Sequence, residues 1–274
     1  MSDINEYVAL YNPNGAASLT AFFVFGAVAI AYWIRFFREE RPRPRWMLAV
    51  ITATCFMSLG FICRFSRRNG ISAWSWLFET LFILISPCGL LAQDYVLLPR
   101  LASSLEANQY LILPQRAILA IFVTADAITV CSQLAGTALT ITFGDLVPIG
   151  VKIVISGLWV QLVFFSAFLT TFIMFGARVC NWKENKSEPW NQRPRTLYLA
   201  LCVSCACMMI RSIYRIAEYM SGGNSKLAHS EIAFYTMDTL MVLINVLVFV
   251  VVWPPYCLQS KYIIDKHTTL PLED

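Results

Sequence analysis

The sequence has little charge and almost no histidine. Only 14% of its residues are Asp, Glu, Lys or Arg and 58% are hydrophobic, which excludes a soluble domain, since such domains carry about 25% charged residues. With His229 and His267 alone, neither a three-histidine zinc site nor a buried serine–histidine–aspartate triad can form. A P-loop sequence is also missing, which excludes that type of ATPase site. We therefore expect no enzyme, metal or cofactor.

Apolar residues occur in seven runs of about twenty, the length with which a helix crosses about 30 Å of hydrocarbon. A membrane β-barrel would show shorter alternating segments instead. The predicted spans are Ser18–Phe37, Trp46–Arg64, Ser72–Leu98, Ala117–Leu139, Ile149–Phe175, Leu197–Tyr219 and Ile232–Trp253. The prediction is an all-α polytopic membrane protein, with a kink in the third span at Pro87.

Lysine and arginine predict the orientation, because they collect on the cytosolic side. Most of the 21 basic residues fall on one predicted side: Arg35, Arg38, Arg41, Arg43, Arg45, Arg100, Arg116, Arg178, Lys183, Lys186, Arg193, Arg195, Lys261 and Lys266. We therefore predict an extracytoplasmic tail over residues 1–17, one membrane domain over 18–253 and a cytosolic tail over 254–274. The net charge of +4 then reflects topology, and no nucleic-acid partner is expected.

Ionisable residues cluster in the last two spans. The sixth carries Arg211, Arg215 and Glu218, and the seventh carries Glu231, Tyr235 and Asp238. Each set is spaced i, i+4, i+7 and so predicts one stripe on its helix. A short loop makes the two helices antiparallel neighbours, and Arg215 and Asp238 lie at similar depth, about 10 Å below their helix ends.

This depth match predicts an Arg215–Asp238 ion pair, with Arg211 or Glu218 as further partners of the facing helix. Buried charges in a membrane either form a functional site or pair for structural reasons. Two interpretations therefore stay open for these six residues. They line a polar cavity, or they lock the two helices together.

Other polar residues lie in the middle helices. Asp126 is near the centre of the fourth span, where a lone carboxylate can act as a protonation switch, and Gln133 follows two turns later. Gln161 lies in the fifth span, and each glutamine is either a ligand contact or a hydrogen bond between helices. Residues near span ends are expected to reach the membrane interfaces: Arg64, Arg67, Arg68, Glu79, Gln93 and Asp94.

These residues occur in a recognisable order. "RSIYRIAEYMSGG", "SEIAFYTMD" and "VVVWPP" follow "YNP", "GFICR", "SPCGLLAQDYVLLPRL", "ADAITVCSQLAG" and "GVKIVISGLWVQ". The series resembles the fungal RTA-like family, also called the lipid-translocating exporter family, over nearly the whole chain. In one departure, Met57 stands where the family usually has an acid, three residues before Gly60, so the ligand or the coupling here is expected to differ.

The resemblance implies a seven-helix fungal membrane protein that moves sphingoid long-chain bases or similar lipids and confers tolerance to toxic amphiphiles or drugs. It carries a lipid-binding or coupling role to the matching positions: Asp126, Gln133, Gln161, Arg211, Arg215, Glu218, Glu231, Tyr235 and Asp238. Membrane lipids and an amphiphilic small molecule are the expected partners. The protein partners are not predicted.

Two functions remain open from the sequence. The first is a lipid transporter or floppase, in which an ammonium group binds Asp238, Glu231 or Asp126. The second is a seven-helix lipid receptor that signals to cytosolic partners, although the predicted outer loops lack the cysteines that commonly staple such receptors. The tail "HTTLPLED" has no retention signal, which favours the plasma membrane over the vacuole or the endoplasmic reticulum.

Overall fold

The computed structural model describes residues 14–39, 43–67, 73–142, 146–185, 192–221 and 230–258. Within these ranges the chain is helical and has no strand, and seven helices are long and apolar enough to span a membrane. They are α1 (Gly15–Arg38), α2 (Leu48–Arg67), α3 (Ala73–Ser104), α4 (Gln115–Thr142), α5 (Val147–Asn185), α6 (Gln192–Met220) and α7 (Glu231–Val251), and the short α8 (Pro254–Leu258) follows. The predicted all-α, seven-helix class is confirmed.

Helix ends differ from the predicted spans where polar sequence continues in helical form. The prediction ended the fifth span at Phe175, but α5 has 39 residues and ends at Asn185. At 1.5 Å per residue it is about 58 Å long, so it extends well beyond the hydrocarbon. At the other end of the chain, α1 begins at Gly15 because the side chain of Asn14 accepts a hydrogen bond from the Ala16 N–H, as an N-cap residue does.

The last span ends two residues before its predicted limit. Val252 leaves the helical conformation. The next residue, Trp253, directly precedes Pro254, and a residue before proline is disfavoured from continuing a helix. The following helix α8 packs against α6 and α3 and buries Pro254, Pro255 and Cys257. The predicted tail thus starts with a docked helix, and residues 259–274 lie outside the described ranges.

Helix α3 lies in the middle of the bundle. It packs against α2, α4, α6 and α7, whereas each other membrane helix packs mainly against its chain neighbours and α7 closes against α1. Consequently Gln93, Asp94 and Tyr95 in the second half of α3 are all fully buried. Polar side chains of α3 are therefore held inside the bundle.

Seven spans place the two ends of the membrane domain on opposite sides, but which side faces the cytosol is still a prediction. Cys180 offers a test, because it is exposed near the end of α5. If the orientation is as predicted, a membrane-impermeant maleimide should label Cys180 only after intact cells are permeabilised. The Cys180→Ser variant identifies the signal, and labelling of intact cells would reverse the orientation.

Candidate functional site

Asp238 lies between two arginines where α6 ends and α7 begins. Arg215 donates two hydrogen bonds to it, from Nε to Oδ1 at 2.8 Å and from Nη2 to Oδ2 at 2.9 Å. The Nε of Arg211 is also 2.8 Å from Asp238 Oδ1. The predicted Arg215–Asp238 pair is therefore confirmed, and Arg211 is a second partner of the same carboxylate.

Arg211 also donates a hydrogen bond to a backbone carbonyl of α3 that Pro87 leaves without its helical donor. Pro87 lies inside α3 and has no N–H, so the carbonyl of Ile83 one turn earlier lacks its helical donor. Nη2 of Arg211 donates to this carbonyl at 3.3 Å. Through Pro87 the central helix thus gains a polar contact with α6, and α3 remains one continuous helix.

A second ion pair extends the arrangement to α2. Arg64 and Glu79 are 2.6 Å apart and both side chains are buried inside the protein. They therefore pair with each other, and their expected position at the membrane interface stays a prediction. The ring of Phe234 is close to two guanidinium groups, with its centroid 4.4 Å from Cζ of Arg64 and 5.5 Å from Cζ of Arg215. Cations are attracted to an aromatic face at these distances.

Glu218 completes this group, at 3.3 Å from Arg215 on its own helix. We call the set of Arg64, Glu79, Arg211, Arg215, Glu218 and Asp238 the charged cluster. Its three positive and three negative side chains balance, which reduces the cost of burying charge. The hairpin between α2 and α3 places Arg64 and Glu79 at equal depth, so the depth argument used for Arg215 and Asp238 was also available for this pair.

The predicted stripe on the seventh span is not formed. Residues Phe234–Thr239 are a π-helix, whose wider turn changes the direction in which successive side chains point. Asp238 faces α6, whereas Tyr235 lies 3.1 Å from the Ser18 hydroxyl of α1 and Glu231 accepts a 2.8 Å hydrogen bond from the Asn14 N–H. Glu231 and Tyr235 therefore join α7 to α1, and the ring of Tyr235 also lies 5.9 Å from the guanidinium group of Arg64.

A separate polar group lies between α3, α4 and α5. Asp126 accepts a 2.9 Å hydrogen bond from the Tyr95 hydroxyl, and Gln133 donates to Gln161 at 3.1 Å. Gln161 in turn lies 3.6 Å from the sulfur of Cys88. We call the residues Cys88, Tyr95, Asp126, Gln133 and Gln161 the acceptor strip, because two of its oxygens are available to accept hydrogen bonds.

These two oxygens are Oδ1 of Asp126 and Oε1 of Gln133. Both are buried without a hydrogen-bond partner among the described residues. Asp126 also has no Lys, Arg or His within ion-pair distance in the part of the chain that the structure describes. A carboxylate in this position is costly unless a proton or a cation neutralises it.

A third polar group surrounds Asp94. This carboxylate accepts a 2.6 Å hydrogen bond from the Ser204 hydroxyl, which itself accepts one at 2.8 Å from Asn245. All three residues are fully buried inside the protein, as is Gln93. The expectation that Asp94 and Gln93 lie near a membrane interface stays a prediction. Ser204 and Asn245 were not predicted as site residues, since a single Ser or Asn in a membrane helix carries no specific sequence signal. Met57, at the position of the family acid, is buried in the apolar core.

Comparison with known proteins identifies the family of the chain. A family model described as "RTA1 like protein" matches residues 50–261. Two Saccharomyces cerevisiae proteins, Protein RTM1 and Protein RTA1, are each 29% identical to the chain, over 72% and 73% of its length. Protoporphyrin uptake protein 1 from the same yeast is 27% identical over 71% of the chain.

The aligned part covers 64%, 63% and 64% of these three relatives, which is just under two thirds of their length. No solved structure matches the chain. The family match covers most of the seven-helix domain, including every residue of the charged cluster and the acceptor strip. The chain is therefore an integral membrane protein that belongs to the RTA1-like family.

Proposed function

We propose that the protein moves amphiphilic molecules across its membrane without changing them covalently, and that their polar head binds the acceptor strip. The observation that carries this proposal is Asp126, a buried carboxylate near the middle of α4 with one neutral donor and one unpartnered oxygen. A membrane protein retains such a group at a cost, and ionisable residues at this depth commonly mark a substrate or proton pathway.

The chemistry of the strip fits a cationic head with additional hydroxyl groups. An ammonium group would pair with Asp126, and the free oxygen of Gln133, about 10 Å further along α4, would accept a hydrogen bond from a hydroxyl. A sphingoid long-chain base has this combination of one ammonium, two hydroxyls and one apolar chain. The exposed apolar side chains of Ile128 and Val163 on α4 and α5 offer its chain a path along the lipid-facing surface.

The relatives support the same general activity. One of them is named for the uptake of protoporphyrin, which is itself an amphiphile that must cross a membrane. Asp238, the first choice of head-group partner from the sequence, is a weaker choice, because Arg211 and Arg215 already occupy its oxygens. Glu231 is engaged with the start of α1. Asp126 is therefore the carboxylate that we assign to the substrate.

Proteoliposomes that contain only this protein test the proposal. The movement of a fluorescent long-chain base across the bilayer is followed with and without a proton gradient. Asp126→Asn should slow this movement about ten- to a hundredfold, since a hydrogen bond to a charged group contributes about 1.5–3 kcal/mol. The asparagine retains an acceptor for the Tyr95 hydroxyl, so the variant is expected to fold.

Glu106→Gln is the matched control, because it removes the same charge at an exposed position between α3 and α4. It should move the probe at the rate of the wild type. Equal rates for Asp126→Asn and the wild type would remove Asp126 from the pathway. No movement by the wild type under any gradient would contradict the transport proposal and favour a lipid sensor, whose partners would then be sought in the cytosol.

A further inference from the structure

In the group around Asp94, some polar atoms are hydrogen-bonded to each other and others have no hydrogen-bond partner among the described residues. On one side, donors point toward the carboxylate in series, from Asn245 to Ser204 and from Ser204 to Asp94. On the other side, Oδ1 of Asp94 and Oδ1 of Asn245 are both buried without a partner among the described residues. The carboxylate of Asp94 and the amide of Asn245 each contact the Ser204 hydroxyl through their other polar atom. The two unpartnered oxygens therefore lie around the same hydroxyl.

Among the residues that the structure describes, the surroundings of Asp94 supply no positive charge. The titratable groups that face it are Tyr32 on α1, Tyr95 on α3, and Cys205 and Cys207 on α6. Tyrosine and cysteine side chains are uncharged at neutral pH. In the described part of the chain, no Arg or Lys is within ion-pair distance of Asp94, whereas every carboxylate of the charged cluster has one. α7 contributes the neutral Asn245.

We propose that Asp94, Ser204 and Asn245 form a binding site for a monovalent cation, filled by a proton or by a sodium ion. One carboxylate among neutral groups calls for a single positive charge, because a divalent ion would leave a net charge buried in the membrane. The available ligands are a carboxylate, a hydroxyl and an amide oxygen, and hard cations prefer oxygen ligands. A bound proton would reside on the unpartnered Oδ1 of Asp94.

The site lies about two helical turns from the charged cluster, on the same helices α6 and α7. Ser204 and Arg211 are seven residues apart on α6, and Asp238 and Asn245 are seven residues apart on α7, so the two contacts are about 10 Å apart along the bundle. A cation at Asp94 would strengthen the contact of α3 with α6 and α7. This inference goes beyond the proposed transport, because cation binding can be measured on protein that moves no lipid.

The test uses the purified full chain in detergent and follows thermal unfolding by tryptophan fluorescence. NaCl is titrated against choline chloride at constant ionic strength, at several pH values between 5 and 8. If the site takes sodium, NaCl should raise the Tm of the wild type in a saturable way, by about 2–3 °C at ten times the Kd. If it takes only a proton, acidification should raise the Tm equally in both salts.

Asp94→Asn should lose whichever response the wild type shows, and Ser204→Ala should weaken a sodium response by removing one ligand. The Glu106→Gln variant carries the same charge change at an exposed site and should respond like the wild type. Binding of radioactive sodium to the wild type, with protons as competitors, gives a second readout that needs no variant. A wild type that binds no sodium, and whose pH response is the same as that of Asp94→Asn, would overturn the site.

Discussion

Replacement of Asp238 by alanine should lower the free energy of unfolding by about 3–5 kcal/mol, the usual effect of removing one partner from a buried ion pair. Asp238 is fully buried and is the shared partner of Arg211 and Arg215. Without it, three arginines of the charged cluster face two carboxylates, and a guanidinium group loses its partner in a medium that solvates charge poorly. Thermal unfolding in detergent measures the loss.

Two further variants show whether charge balance is the cause. Glu231→Gln removes an acid from the same helix, but the glutamine oxygen can still accept the Asn14 N–H, so its stability should stay within about 0.5 kcal/mol of the wild type. The double variant Arg211→Gln with Asp238→Asn restores balance and should be more stable than Asp238→Asn alone. If Asp238→Ala is as stable as the wild type, the charged cluster does not hold α6 and α7 together.

The second large effect is expected where α4 and α5 come into backbone contact. A Cβ atom on Gly150 would lie 2.6 Å from the carbonyl oxygen of Gly136, and a Cβ on Gly136 would lie 2.7 Å from that of Gly150. Neither backbone can move aside alone, so the helices must separate. Gly150→Ala should lower the free energy of unfolding by about 1–3 kcal/mol, as overpacking does, and Gly150→Leu should lower it further.

Gly26→Ala is the control for this packing argument. A Cβ at Gly26 meets only the Ser58 hydroxyl, at an ordinary contact distance of 3.5 Å. Alanine is a better helix former than glycine by about 1 kcal/mol, so this variant should be as stable as the wild type or slightly more stable. A Gly150→Ala protein that is also as stable as the wild type would show that α4 and α5 do not depend on their close approach.

Local sequence was sufficient for contacts within a helical hairpin. A short loop fixes two helices as antiparallel neighbours, so counting residues from the loop gives the depth of each side chain. This argument correctly paired Arg215 with Asp238, and applied to α2 and α3 it would have paired Arg64 with Glu79. It did not place Tyr235 and Glu231, because counting assumes a regular α-helix and the π-helical turns of Phe234–Thr239 change the period.

The sequence by itself determined that the chain is a seven-helix membrane protein, because spans of about twenty apolar residues have no other common use. Its charged residues also indicated where two neighbouring helices pair. Only the tertiary structure decided that α3 is central and that Asp94, Ser204 and Asn245 meet. Helices far apart in the chain can pack in several orders, and residue spacing along each helix does not distinguish these orders. Which polar groups share a site therefore depends on packing around α3.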